Sequence, residues 1–185
     1  MQKNLFLKTS KALAEKYANK RMIYKIPIDK GDLFLEMSAG AHNELQKAII
    51  EEFAPRFAKN SVLLYVGDTA NKQLYVRAKE LKALGIPMTK HDKLPDVILY
   101  NKEKNWLFLC EAVTSHGPFS PKRIVEMEDM LKNCHCGKIY VSCFPNWQAY
   151  KGYCDKIAWE TEVWFSGTPD HMIHFNGYKF LGPYR

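Results

Sequence analysis

No apolar run in these 185 residues reaches the roughly 18 that a membrane-crossing helix needs. The lysine-bearing start is followed by no apolar segment of the kind a secretory signal carries, so a cytoplasmic protein is expected. Internal repeats and low-complexity tracts are missing as well, which removes solenoids and biased linkers. Five cysteines are present (Cys110, Cys134, Cys136, Cys143 and Cys154), an odd number in a chain that is not small. That count argues against a disulfide framework and for reduced thiols. Residues 67–69, Gly-Asp-Thr, lack the Gly-Lys-Ser/Thr ending of a phosphate-binding loop. Cys134, His135 and Cys136 offer three clustered ligands with no second pair at finger spacing, so no structural zinc is expected. His171 and His174 would point to opposite faces of a strand and chelate poorly. No Ser/His/Asp or Cys/His order matches a known nucleophilic motif.

What is there is an ordinary globular composition, 46% hydrophobic and 25% charged, in a chain long enough for one domain with a sizeable core. Net charge is +7, and its distribution is uneven. Residues 1–30 carry eight Lys or Arg against Glu15 and Asp29, whereas the remaining residues nearly balance. A basic leading arm suits salt-sensitive contact with phosphates, although a solvated helix face has the same composition.

Periodicity divides the chain into elements. Residues 3–22 have helical composition, and 22–27 and 33–37 read as two short strands around a turn at 29–32. Residues 38–42 read as a loop, with Asn43 as the cap of a helix and Gln46 completing a capping box. Leu45, Ala48, Ile49, Phe53 and Phe57 recur at helical spacing, and Pro55 is expected to kink or end that helix. Residues 61–66 read as a buried strand, and a helix built on Leu74, Ala78 and Leu81 should run to Gly85. Residues 96–101 and 105–113 are two strands joined by a short charged turn, hence an antiparallel hairpin. Ser120 and Pro121 mark a helix start, with Ile124, Met127 and Leu131 as its buried stripe. A strand at 138–144, a helical stretch at 146–157 and late strands at 162–165 and 171–175 complete the reading. Trp147, Trp159 and Trp164 are expected in the core. From residue 43 the order is helix, strand, helix, strand, strand, helix, strand: an α/β domain around a central mixed β-sheet flanked by helices.

Two acids stand out. Asp96 follows Pro95 at the start of one hairpin strand, and Glu111 lies near the end of the next. In a hairpin the start of one strand lies beside the end of its partner, so the two carboxylates should meet at one edge of the sheet. Taken alone they could be two surface acids. Glu111, however, follows the apolar run from Trp106 to Cys110, and a carboxylate emerging from such a strand needs a partner or a metal. Paired carboxylates suit Mg²⁺, a hard ion that keeps several waters and can bind phosphate oxygens beside them.

The arrangement resembles the PD-(D/E)XK nuclease core. Several blocks narrow the likeness: residues 38–46 (Ser-Ala-Gly-Ala-His-Asn-Glu-Leu-Gln), 67–72 (Gly-Asp-Thr-Ala-Asn-Lys), 94–98 (Leu-Pro-Asp-Val-Ile), 111–118 (Glu-Ala-Val-Thr-Ser-His-Gly-Pro) and 159–164 (Trp-Glu-Thr-Glu-Val-Trp). Together with 174–177 (His-Phe-Asn-Gly) and 180–183 (Phe-Leu-Gly-Pro) they resemble the BsuBI/PstI type II restriction endonucleases over about residues 22–185. That resemblance implies Mg²⁺-dependent hydrolysis of double-stranded DNA at a short palindrome, CTGCAG-like, and two-fold symmetry of the site then implies a homodimer; the lack of a long apolar run implies no membrane attachment. It also implies an additional helical N-terminal domain in family members. Here residues 1–37 would be a basic helix-and-hairpin lead and 38–185 the catalytic domain. The other readings are a DNA-binding module that has lost cleavage and a repair or junction nuclease of the same fold.

Asp96 and Glu111 are the expected metal ligands, with Asp68 as a third and Glu44 able to reach the same place. The motif lysine, two residues after the glutamate, is replaced by Val113. Lys122 is the first candidate to replace it, because its helix starts close to the strand end; Lys72 and His116 are the others. Lys72, His116, Lys122 and Arg123 are the expected DNA contacts.

Overall fold

The computed structural model describes residues 23–28, 33–67, 74–88 and 93–175. The expected helix at 3–22, the turn at 29–32, Asp68, Lys72 and the closing motif beyond 175 lie outside the described residues. Strands β1 (Ile23–Ile28) and β2 (Leu33–Ser38) form an antiparallel hairpin of their own. The other seven described strands make one mixed sheet: β3 (Ser61–Val66), β4 (Tyr75–Val76), β5 (Val97–Asn101), β6 (Trp106–Ala112), β7 (Gly137–Phe144), β8 (Thr161–Phe165) and β9 (Met172–Phe175). Their order across the sheet is β4-β3-β5-β6-β7-β8-β9, with β6, β7 and β8 parallel and every other neighbouring pair antiparallel.

Alternation along β5 and β6 sends side chains to two separate cores. Val97, Leu99, Phe108 and Cys110 face one that also holds Ile26, Ile28, Leu35 and Met37 of the hairpin, and Leu45, Ile49 and Phe53 of the first helix. Ile98, Leu107 and Leu109 face the other, closed by Met127 and Leu131. The first core is rich in edge-on aromatic contacts, Phe53 meeting both Phe108 and Trp164. Trp164 is wholly buried, its indole N–H donating to the Pro169 carbonyl at 3.0 Å. The other two tryptophans expected in the core, Trp147 and Trp159, lie at the surface. Trp147 is 50% exposed, one face stacked on Phe165, and Trp159 is 67% exposed beside Phe175.

The first helix begins earlier than its capping pattern suggests. Helix α1 spans Ala41–Ala48, so His42 is helical and Gly40 precedes the helix without a side-chain cap. Asn43 is buried and its amide donates back to Ser38, closing the connection from β2. Gln46 does not cap; it too is buried. The helix neither ends nor breaks at Pro55. It passes through a π-helical turn, Ile49–Phe53, into α2 (Ala54–Phe57), with Ala54 N–H reaching the Ile49 carbonyl. Proline lacks an N–H and its ring crowds the carbonyl four residues back, so a wider turn just before it accommodates both defects.

Residue 74 is not helical. Leu74 N–H bonds the Val66 carbonyl, Tyr75–Val76 add a short edge strand, and α3 covers only Ala78–Ala83. Gly85 ends it at φ 76°, where a Cβ would lie 2.2 Å from the Asn133 carbonyl oxygen. Helix α4 (Pro121–Met130) starts as expected, Ser120 Oγ accepting from Arg123 N–H. The stretch after Phe144 is only α5 (Trp147–Lys151) followed by a 3₁₀ turn at Cys154–Lys156. No helix among the described residues is long and apolar enough to cross a membrane.

Candidate active site

Strand register brings the two acids together. Val97 pairs with Cys110, so one step further along the hairpin Asp96 lies across from Glu111. Both are on the α4 side, because Glu111 continues the alternation of Leu107 and Leu109. Asp96 is fixed from several directions. Its Oδ2 accepts from Ala112 N–H at 2.7 Å, its carbonyl accepts from Gly67 N–H at 2.9 Å, and His42 Nε2 stands 3.4 Å from Oδ1. Glu111 Oε1 accepts from Arg123 Nε at 3.0 Å and Nη2 at 2.8 Å. Arg123 Nη2 also donates to the Lys93 carbonyl at 2.7 Å, which ties the guanidinium to the loop leading into β5.

Helical geometry selects Arg123 over Lys122. Arg123 is four residues before the buried Met127 and so shares the sheet-facing side of α4. Lys122 is one residue, about 100°, around the helix. It is 87% exposed, and its ammonium lies 3.9 Å from Glu126, one turn on along the same outer face. The expectation that Lys122 reaches the carboxylates is therefore corrected. Val113, at the usual lysine position, is buried with Phe144, Ile157, Val163 and Phe165, leaving no room there for a charge. The β6–α4 connection is held by Phe119 N–H donating to the buried Ser142 Oγ at 3.0 Å.

The electrostatics are unbalanced. Burial and the neighbouring Asp96 push the Glu111 carboxyl up to about 8, in spite of Arg123, which acts in the opposite sense. Tyr65 is raised too, chiefly by burial and further by the charges of Asp96 and Glu111. His42 is raised by its contact with Asp96, burial opposing.

Of the remaining expected residues, His116 is exposed, with Nδ1 3.3 Å from Ser115 Oγ, and Glu44 lines a groove with Lys47, Glu51, Pro145 and Ser166. Sequence reasoning assigned no role in the site to His42, Gln46 or Tyr65. The spacing of His42 and Gln46, four apart on one helix face, was a usable signal once the helix is known to begin at Ala41.

Among the described residues, no cluster of three or more His, Cys, Asp or Glu side chains could hold an ion. The donor chemistry nevertheless suits a hard divalent cation, which binds through one or two carboxylates and keeps water and phosphate oxygens for the rest of its shell. The elevated Glu111 points the same way: burial first, and the Asp96 charge second, disfavour its charged form, and a divalent cation beside it would favour that form.

Residues 24–178 match the family model of the BsuBI/PstI restriction endonuclease domain. The chain is 44% identical over 180 residues to the type II restriction enzyme BsuBI of Bacillus subtilis, covering 97% of this chain and 57% of that protein. Against the type II restriction enzyme AplI of Arthrospira platensis, identity is 27%, with 96% and 57% covered. The structure of SdaI restriction endonuclease superposes with a TM-score of 0.81 at 37% identity, over 92% of this chain and 54% of the other. The chain thus spans a little over half the length of the relatives it matches.

Proposed function

The chain belongs to the BsuBI/PstI restriction endonuclease domain family, and on that premise we propose that it is the catalytic part of a type II restriction endonuclease. The reaction is Mg²⁺-dependent hydrolysis of a phosphodiester in double-stranded DNA, at a CTGCAG-like palindrome cut by a homodimer. One observation carries the reading: Asp96 and Glu111 share an end of the β5–β6 hairpin, with an arginine bound to Glu111 where Val113 supplies no cation.

Asp96 and Glu111 would hold the ion, with Asp68 the expected third carboxylate. When bound, Mg²⁺ supplies Lewis acidity at the phosphate and a water of lowered pKa. Ala112 N–H holds Asp96 Oδ2, and Oδ1, with His42 Nε2 3.4 Å away, keeps a further lone pair for the ion. Arg123 holds Glu111 in place and puts positive charge where charge develops on the phosphoryl oxygens, the task a motif lysine usually performs. Water attacks phosphorus in line with the 3′ oxygen, the P–O3′ bond breaks, and the leaving oxygen takes a proton. Lys122 and His116 are exposed and would meet backbone phosphates; Lys72 and the basic lead are expected to add to them.

Digestion of a plasmid bearing CTGCAG, with Mg²⁺ and with EDTA, tests the reading. Discrete fragments with Mg²⁺ alone are expected. Structure-dependent nicking would move the assignment to a repair nuclease, and binding without cleavage would leave a DNA-binding module.

A further inference from the structure

Helix α1 carries a second layer behind the carboxylates. His42 and Gln46 are one turn apart on it. The Gln46 amide donates to the Gly67 carbonyl at 2.8 Å, and Gly67 N–H in turn holds the Asp96 carbonyl. His42 stands between two groups: Nε2 is 3.4 Å from Asp96 Oδ1, and Nδ1 is 3.4 Å from Thr114 Oγ1, two residues past the end of β6. These distances are at the long end of hydrogen-bond reach, as catalytic contacts often are before ligand is bound. The two ring nitrogens have distinct tasks. A hydroxyl can donate to Nδ1, which leaves the proton on Nε2, where it faces the carboxylate. Ala112 N–H already occupies Asp96 Oδ2. With His42 on Oδ1, the carboxylate is held by both oxygens and its plane is set.

We propose that His42 is the positioning residue of Asp96, orienting that carboxylate toward an incoming divalent cation, with Thr114 selecting the His42 tautomer and Gln46 anchoring the same helix to the strand end. The inference rests on the reading of Asp96 as a cation ligand. Outer groups of this kind typically change metal affinity about 10- to 100-fold when removed. His42 is not itself required to touch the ion.

Side-chain length supplies the test. A glutamine amide nitrogen lies where the imidazole Nε2 lies; an asparagine amide nitrogen lies where Nδ1 lies. Ca²⁺ binding is measured by calorimetry on the full chain with a CTGCAG duplex, for the wild type and for Asp96→Ala, His42→Ala, His42→Asn, His42→Gln and Thr114→Val. His42→Ala and His42→Asn should bind Ca²⁺ about 10- to 100-fold more weakly, His42→Gln should recover to within about threefold of wild type, and Thr114→Val should fall between. A purely structural role would not separate the Asn and Gln variants. If the alanine variant fails to fold, that pair alone decides. Equal Ca²⁺ affinity in wild type and His42→Asn, or no recovery in His42→Gln, overturns the proposal while leaving the metal-site reading standing. Wild type that binds no more Ca²⁺ than Asp96→Ala overturns the metal-site reading, and the proposal with it.

Discussion

The two ends of the β5–β6 hairpin are built from the same two strands and follow opposite rules. At the turn, the asparagine side chains are neutral and find partners. The buried Asn101 donates to the Lys59 carbonyl at 2.7 Å and accepts from Lys104 N–H at 2.8 Å. Asn105 takes the left-handed conformation at φ 52°, which asparagine tolerates, and its side chain accepts from Tyr100 Oη at 3.0 Å. Lys104 lies over the Trp106 ring. At the open end two carboxylates face each other, one of them driven up to about 8, with a guanidinium that does not restore balance. One end minimises the cost of ending a sheet. The other buries a carboxyl beside a second acid and an arginine, an arrangement suited to bind a cation and a phosphate.

Removing charge at the open end should have the largest effect. Asp96→Ala and Glu111→Ala are each expected to lower Mg²⁺-dependent cleavage by at least about a thousandfold while the protein stays folded by circular dichroism. Cleavage near wild type by either variant would erase the functional distinction between the two ends. Next comes the cation: Arg123→Ala should cost about 10²–10³ in cleavage rate, whereas Lys122→Ala should stay within about tenfold. Single-turnover rates at saturating DNA check this, and the reverse ranking would restore Lys122 to the role.

At the turn the expected effect is on stability. Asn101→Ala leaves the Lys59 carbonyl and Lys104 N–H without their partner, at a cost of about 1–3 kcal/mol in urea unfolding, with cleavage rate retained. Loss of cleavage without loss of stability would contradict the division of labour. The smallest effect is in pH. Glu111 titrates near its ordinary value of 4.5 when unfolded and near 8 when folded without metal. Between those values the folded state binds the extra proton, so this group's contribution to stability falls as pH rises through the window. Melting temperature of the metal-free protein should therefore decline more steeply from pH 5 to pH 8 in wild type than in Glu111→Gln. Identical slopes would show that the carboxyl is not strained.

Much of this layout was legible in the chain. Apolar runs on either side of the Lys102-Glu103-Lys104 turn marked the hairpin, and its pairing brought Asp96 and Glu111 together. Ser120 and Pro121 gave the start of α4, because capping is local chemistry. Which of Lys122 and Arg123 turns inward was not legible. That depends on how the helix is rotated on the sheet, a tertiary quantity set by Met127 and Leu131. His42 was hidden for a similar reason: helix α1 starts at Ala41 without a capping side chain, and Asn43 and Gln46, which read as caps, are spent on Ser38 and Gly67. The two-residue strand at Tyr75–Val76 is too short to carry a period, and its pairing with β3 decided it. Trp147 and Trp159 show the limit of reading burial from residue type.

The central claim is that the Asp96/Glu111 end of the hairpin is a divalent-cation site. Anomalous diffraction from crystals of the protein with duplex DNA and Mn²⁺ tests it most directly. A manganese peak is expected within coordination distance, about 2.0–2.3 Å, of a carboxylate oxygen from both Asp96 and Glu111, absent in Asp96→Ala. A peak elsewhere, or full occupancy retained in that variant, would contradict it.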